Sequence, residues 1–198
     1  MEILAARVIE YAGRLPEGTP VGAKELLHLS NRAAVDQTLS RLARSGSLIR
    51  AGRGLYIRPV ESRFGQHPPE VSKVVEAIAA QRGERVAPHG AAAANELGLT
   101  TQVPVREIYL TSGRNRSLKI GAQEIELRHV PAWQLVLLGR PAGAAIRALA
   151  WLGPKGASEA LRTLQRKLPP SELQAVVGAR GRLPTWMARE VSLLANNG

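Results

Sequence analysis

Apolar positions recur at helical spacing from Ile3 to Leu15, where Ile3, Leu4, Arg7, Val8, Tyr11 and Leu15 share one stripe and predict a first helix. Pro16-Glu17-Gly18 ends it. Thr19-Pro20 then has the form of an N-cap followed by proline at the first helical position, where a missing N–H costs nothing. Ala23, Leu26 and Leu27 give the resulting short second helix a buried face, and Ser30-Asn31 supplies a turn and an N-cap for a third. On the third helix Val35, Leu39 and Leu42 form the apolar stripe. The opposite face carries Ala33, Gln37, Ser40 and Arg44, flanked by Asp36 and Arg41. After Gly46 the period changes from helix to strand. Leu48-Ile49-Arg50 and Leu55-Tyr56-Ile57-Arg58 alternate, and Gly52-Arg53-Gly54 between them suits a tight hairpin.

Residues 59–69 (PVESRFGQHPP) hold three prolines, a glycine and the one Phe of the chain, and read as an ordered linker that Phe64 could pin to a neighbouring domain. Beyond it Val71, Val74, Val75 and Ile78 mark a helix. A short strand at Glu84–Ala87 is followed by Pro88-His89-Gly90 and an alanine-rich helix closed by Gly98. Arg106–Thr111, Leu118–Ile120 and Glu124–Val130 alternate as the strands of a small antiparallel meander, and the rest of the chain has helical period. The pattern predicts an α+β chain in which an N-terminal winged helix-turn-helix (1–60) precedes a mainly helical domain with a small antiparallel sheet (68–198).

Charge sharpens this picture. The chain has 27 Lys plus Arg against 16 acids, a formal net charge of +11, which points to polyanions, with nucleic acid ahead of a membrane surface. The segment from Arg32 to Arg63 carries Arg32, Arg41, Arg44, Arg50, Arg53, Arg58 and Arg63 but only Asp36 and Glu61 as acids. Small, amide and guanidinium side chains on one helix face fit a major groove, because Gln pairs with adenine and Arg forks onto guanine. A wing with Arg53 at its tip and Arg50 and Arg58 at its bases presents cations to phosphate or to a narrow minor groove. The candidate DNA-binding set is therefore Asn31, Arg32, Gln37, Ser40, Arg41, Arg44, Arg50, Arg53 and Arg58; where the helix starts decides whether Arg32 belongs. The competing reading is a solvated helix and an ordinary surface hairpin.

Catalytic and metal chemistry is weakly represented. Cysteine is absent, and His28, His67, His89 and His129 lie outside metal-ligand spacing of one another, so no metal or other cofactor is expected. The Glu124-x-Glu126-x-Arg128 strand resembles the carboxylate strand of some nucleases, but Asp36 is the one Asp, and nothing after it completes a metal site. Neither a phosphate-binding Gly-rich loop nor a nucleophile elbow is present. A binding protein is expected rather than an enzyme. Without a secretion signal or an apolar run of membrane-spanning length, a cytoplasmic location is expected.

Several segments in order carry a family likeness: Ser30–Arg44 (SNRAAVDQTLSRLAR), Arg53–Pro59 (RGLYIRP), Pro88–Pro104 (PHGAAAANELGLTTQVP), Tyr109–Gly113 (YLTSG) and Ile125–Val130 (IELRHV). Together they resemble the AbiEi-type antitoxins, the transcriptional-regulator halves of type IV toxin-antitoxin pairs, over most of the chain to about Trp151. The resemblance implies a winged helix that binds inverted repeats in double-stranded DNA upstream of its own operon and represses it. It also implies a C-terminal domain required for antitoxicity, and a nucleotidyltransferase-type toxin countered without a stable complex. The alternative from another class is a protein-interaction module that binds and neutralises a partner directly. Operator symmetry would suit a dimer, and a monomer binding cooperatively to two sites fits equally.

Overall fold

The computed structural model describes residues 2–195. It is α+β, and the described residues form two compact units. One runs to Glu84 and takes in Ser117–Ile125; the other comprises Arg85–Arg116 and the chain from Glu126 onward.

The first unit opens with α1 (Glu2–Gly13), followed by a 3-10 turn at Ala23–Leu26 and then α2 (Arg32–Arg44). Two hairpins follow, β1 (Ile49–Gly52) with β2 (Leu55–Ile57) and β3 (Val60–Ser62) with β4 (Gly65–His67), and then α3 (Val71–Arg82). Val8 and Ala12 of α1, Leu26, the Val35, Leu39, Leu42 stripe of α2, and Leu48 and Tyr56 close one core. The stripe expected on α2 is buried as its period requires. On α1 the inward face is rotated relative to expectation, so that Ile3 is 78% exposed.

Two expectations are corrected. Thr19-Pro20 does not begin a helix. Val21 is extended instead, its N–H donating to the Tyr56 carbonyl at 2.7 Å and its carbonyl accepting from Tyr56 N–H at 3.0 Å. Gly22 is the residue that caps, its N–H held by the Glu25 carboxylate at 3.0 Å, and the second helix shrinks to four residues of 3-10 turn. Secondly, the stretch expected to be a linker is ordered as the β3–β4 hairpin, and Phe64 pins nothing: it is 85% exposed at the tip, with the Arg63 guanidinium 4.7 Å from its ring centroid. The compact units divide between Glu84 and Arg85. The reason is α3. It buries Val71, Val74, Val75 and Ile78, pairs Lys73 with Glu17 at 3.1 Å, and sends Gln81 Nε2 to the Pro20 carbonyl at 2.9 Å. Gly18, at φ +81°, lets the loop come so near that a Cβ there would sit 3.1 Å from Val74 N.

Residues 117–125 count with the first unit because Leu118 meets the position of Gly52, and Pro68 lies against Gly121, where a Cβ would be 2.5 Å from Pro68 Cγ. The four-stranded sheet formed by β5 (Val86–Pro88), β6 (Glu107–Thr111), β7 (Arg116–Ile120) and β8 (Gln123–His129) has the order β5-β6-β8-β7. A meander would put β7 between β6 and β8. Instead β8, whose Ile125 and Leu127 are fully buried, takes the inner place and β7 the edge.

In the second unit α4 (Gly90–Glu96) packs on α5 (Pro141–Lys167), and α6 (Pro170–Gly178) and α7 (Thr185–Ala195) complete a helical layer. Ile146, Leu149, Leu161, Leu164, Val176 and Met187 are its core. Gly153 (φ 72°, ψ −179°) followed by Pro154 kinks α5, since Pro supplies no N–H to the helix. Among the described residues no helix is long and apolar enough to cross a membrane.

Candidate nucleic-acid interface

Helix α2 starts one residue after Asn31, whose Oδ1 accepts from Ala34 N–H at 3.0 Å. That bond commits the Asn31 side chain to capping. Arg32 is the first helical residue, and its Nε donates to Asp36 Oδ2 at 2.7 Å, with both side chains more than half exposed. An exposed pair of this kind contributes little to stability, about 0–1 kcal/mol, and opens readily when a stronger acceptor arrives.

Burying Val35, Thr38, Leu39 and Leu42 turns Ala33, Asp36, Gln37 and Arg44 to solvent. Gln37 has its amide free, and Arg44 is held only by an Nε contact of 3.4 Å to the Ser40 carbonyl. Ser40 and Arg41 are half-buried. Ser40 Oγ lies 3.4 Å from the hydroxyl of Tyr56, a residue only 5% exposed whose backbone also pairs with Val21. Tyr56 thus ties β2 to both α2 and the segment before the 3-10 turn, a bracing role that its place in an alternating strand did not reveal. An aromatic on the buried face of a hairpin strand is the signal that the sequence offers for it.

After α2 the chain turns at Gly46 (φ +80°), and Leu48 N–H returns to the Leu42 carbonyl at 3.0 Å. The β1–β2 hairpin pairs Ile49 with Ile57, Arg50 with Tyr56 and Gly52 with Leu55, and Ala51 bulges into the core. Its tip is Arg53-Gly54. Of the glycines expected to need positive φ there, only Gly54 does, at +69°. Arg50, Arg53 and Arg58 are all exposed, and Arg50 and Arg53 make no side-chain bond. Arg58 leans the other way, its Nη1 donating to the Gly13 carbonyl at the end of α1 at 3.4 Å, over a polar cavity of about 540 Å³ shared with Ser45, Ser47, Glu61 and Gln66. The nine candidate residues therefore separate. Gln37, Arg44, Arg50 and Arg53 are presented to solvent, Ser40 and Arg41 sit at the edge of the core, and Asn31, Arg32 and Arg58 hold local partners.

The second unit offers a groove of about 590 Å³ between Pro88-His89, the start of α4 and the Pro104–Tyr109 segment. His89 Nδ1 accepts from Ala91 N–H at 3.2 Å, which makes it the cap of α4. Burial, and then the charge of Arg128, hold its imidazole below the ordinary range, with Glu126 opposing. Glu126 is itself engaged with Arg128 at 3.0 Å, so the carboxylate strand is a solvent-facing ion pair. Among the described residues there is no cluster of three or more His, Cys, Asp or Glu suited to a metal ion.

No curated protein and no solved structure matches the chain. A family model does match, over residues 7–170, which spans all of α2, the β1–β2 hairpin and the groove, and the chain belongs to DUF6088, a family of unknown function.

Proposed function

We propose that the chain is a sequence-specific DNA-binding regulator whose residues from α1 to β2 act as a winged helix-turn-helix. The observation that carries this reading is the free cationic and amide surface of α2 and the β1–β2 hairpin. Gln37, Arg44, Arg50 and Arg53 face solvent, and Tyr56 braces the hairpin to the helix through Ser40. The 3-10 turn takes the part of the first helix of the motif, α2 that of the recognition helix, and Arg53-Gly54 that of the wing tip. In that assignment Gln37 and Arg44 read base edges, and Arg50 and Arg53 hold phosphate.

On the strength of the sequence resemblance the proposal extends to an operon-repressing antitoxin of type IV. Its DNA would be an operator of inverted repeats, and its functional partner a nucleotidyltransferase-type toxin with which it forms no stable complex. The decisive test is binding of the purified chain to the duplex upstream of its own gene and to random duplex of equal length at moderate salt. Preference for its own upstream DNA is expected, and equal binding to both would end the repressor reading. If co-expression with the adjacent gene gave a stoichiometric complex that ignored Arg53→Ala, the chain would instead be a module that neutralises a protein directly.

A further inference from the structure

The last rung of the β3–β4 hairpin pairs Ser62 with Gly65, so Arg63-Phe64 forms a two-residue tip. Turns of this length favour Asn, Asp and Gly, and neither Arg nor Phe is suited to one. Local bonds hold them there instead. Ser62 Oγ accepts from Phe64 N–H at 3.2 Å and donates to the Gly65 carbonyl at 3.0 Å, and Gly65 takes a φ of +101°. The ring so displayed buries almost nothing. Of the other aromatic residues only Trp151 is exposed, at 37% against 85% for Phe64. Arg63, whose guanidinium lies over the ring, makes no hydrogen bond or ion pair among the described residues.

The place of the hairpin decides what such a tip can meet. Glu61 and Gln66, one rung nearer the base, line the polar cavity with Ser45, Gly46 and Ser47 just past the end of α2. At about 3.3 Å per residue the tip stands about 7 Å beyond that rung. Arg44 and Arg58 are exposed nearby, with Glu61 as the opposing charge. A surface that pairs free guanidinium groups with one apolar ring suits a polyanion that also offers an apolar slot. An anionic bilayer attracts the same charge, but one ring is too small an apolar face to anchor a chain in it. Duplex DNA offers phosphate for the guanidinium and a base step that accepts a single ring.

Resting on the DNA-binding reading above, we propose that Arg63-Phe64 is a minor-groove wedge of the same interface. With α2 in the major groove, the hairpin beside its end meets the neighbouring minor groove. Phe64 enters between two base pairs and unstacks them, and the Arg63 guanidinium leaves the ring for a phosphate at the groove mouth. The duplex then kinks toward its major groove, which closes it on α2.

The test takes the full chain with the duplex upstream of its own gene and with random duplex of equal length. A series of duplexes carries 2-aminopurine at successive steps, and a donor–acceptor dye pair at the ends reports bending. On binding, 2-aminopurine fluorescence should rise at one step and the ends should draw together. Phe64→Ser should remove both signals and weaken binding about tenfold, with Tm unchanged because the ring buries almost nothing. Phe64→Leu, which keeps an apolar wedge, should retain most of each signal. If the parent chain prefers its upstream duplex and Phe64→Ser binds and bends it equally well, the wedge is overturned and the repressor reading stands. Unstacking that depends on Phe64 but occurs equally on random duplex upholds the wedge and ends the repressor reading. Absence of binding to either duplex ends both. A Phe64→Ser chain that binds DNA unchanged but loses binding to phosphatidylserine vesicles also overturns the wedge, and makes the tip a membrane contact.

Discussion

In the proposed DNA interface Arg53 and Gln37 stand for two kinds of contact, and they should fail differently. Arg53 sits at a two-residue turn with no partner of its own, so Arg53→Ala should weaken binding to specific and random duplexes alike and reduce the salt slope by about one. Gln37→Ala should cost roughly 1–3 kcal/mol on the preferred sequence and almost nothing on random DNA. Fluorescence anisotropy at several salt concentrations separates the two. In the second unit His89 carries a pH prediction. Its imidazole is held below the ordinary value of 6.5 by burial and by Arg128, while the unfolded chain titrates near that value. Between the two, the unfolded state binds more protons, so His89 costs nothing above pH 6.5, and stability falls as pH drops from there through the folded-state value. His89→Asn can still accept from Ala91 N–H as an N-cap, and should flatten that part of a profile of denaturation midpoint against pH. A more acid step should survive in the variant. Glu172 is held below its ordinary 4.5 by hydrogen bonds from Arg140 and from Ala142 N–H, so its contribution is present above that value and lost as pH falls through the lower folded one. If the midpoint of the parent chain is level from pH 7 to 5, the His89 account is wrong.

At the scale of elements, two glycines show how backbone and packing demands differ. Gly54 has φ +69° and open space around it, so Gly54→Ala should cost only the left-handed backbone term, about 1–2 kcal/mol. Gly90 faces rigid backbone rather than a side chain that could move, at 2.3 Å. Gly90→Ala must force α4 off α5, and should cost about 1–3 kcal/mol or more through overpacking, read as a lowered thermal midpoint. The same contrast between local and distant causes explains which elements were legible in the sequence. The stripe of α2 and its Asn31 cap follow from neighbours within a turn or two, and both were readable from spacing. The extended Val21 was not, because its bonds go to Tyr56, far along the chain, and they outweigh the local cap signal of Thr19-Pro20. The β3–β4 hairpin was hidden because its strands are three residues long and almost wholly exposed, so alternation leaves no trace in composition. Sheet order was illegible for a related reason: β7 (Leu118, Ile120) and β8 (Ile125, Leu127) both bury their apolar residues, so the sequence alone does not say which of them pairs with β6. Within the candidate interface, residue type identified Gln37, Arg44, Arg50 and Arg53, whereas only geometry showed that Asn31 and Arg58 are occupied and that Tyr56 is the brace.

For the whole molecule, the consequence lies in where the chain can be cut. A fragment ending near Pro69 looks natural from the proline-rich run, yet it would discard α3 and, with it, the burial of Val71, Val74, Val75 and Ile78. Burying each such side chain contributes about 1.5–3 kcal/mol, so the loss is comparable with the entire stability of a small domain, about 5–15 kcal/mol. The cut would also remove Gln81 from the Pro20 carbonyl and Lys73 from Glu17, uncovering the loop that positions Val21 and, through it, Tyr56. A fragment ending at Glu84 keeps α3 but still lacks residues 117–125, whose Leu118 and Gly121 pack at Gly52 and Pro68. Circular dichroism melts should therefore rank full chain, then 1–84, then 1–69, with the shortest lacking a cooperative transition. DNA affinity should follow the same order even though every proposed DNA-facing residue is present in all three. A 1–69 fragment that melts cooperatively and binds DNA like the full chain would show that α3 is dispensable to the proposed DNA-binding unit, and would place the domain boundary in the proline-rich stretch.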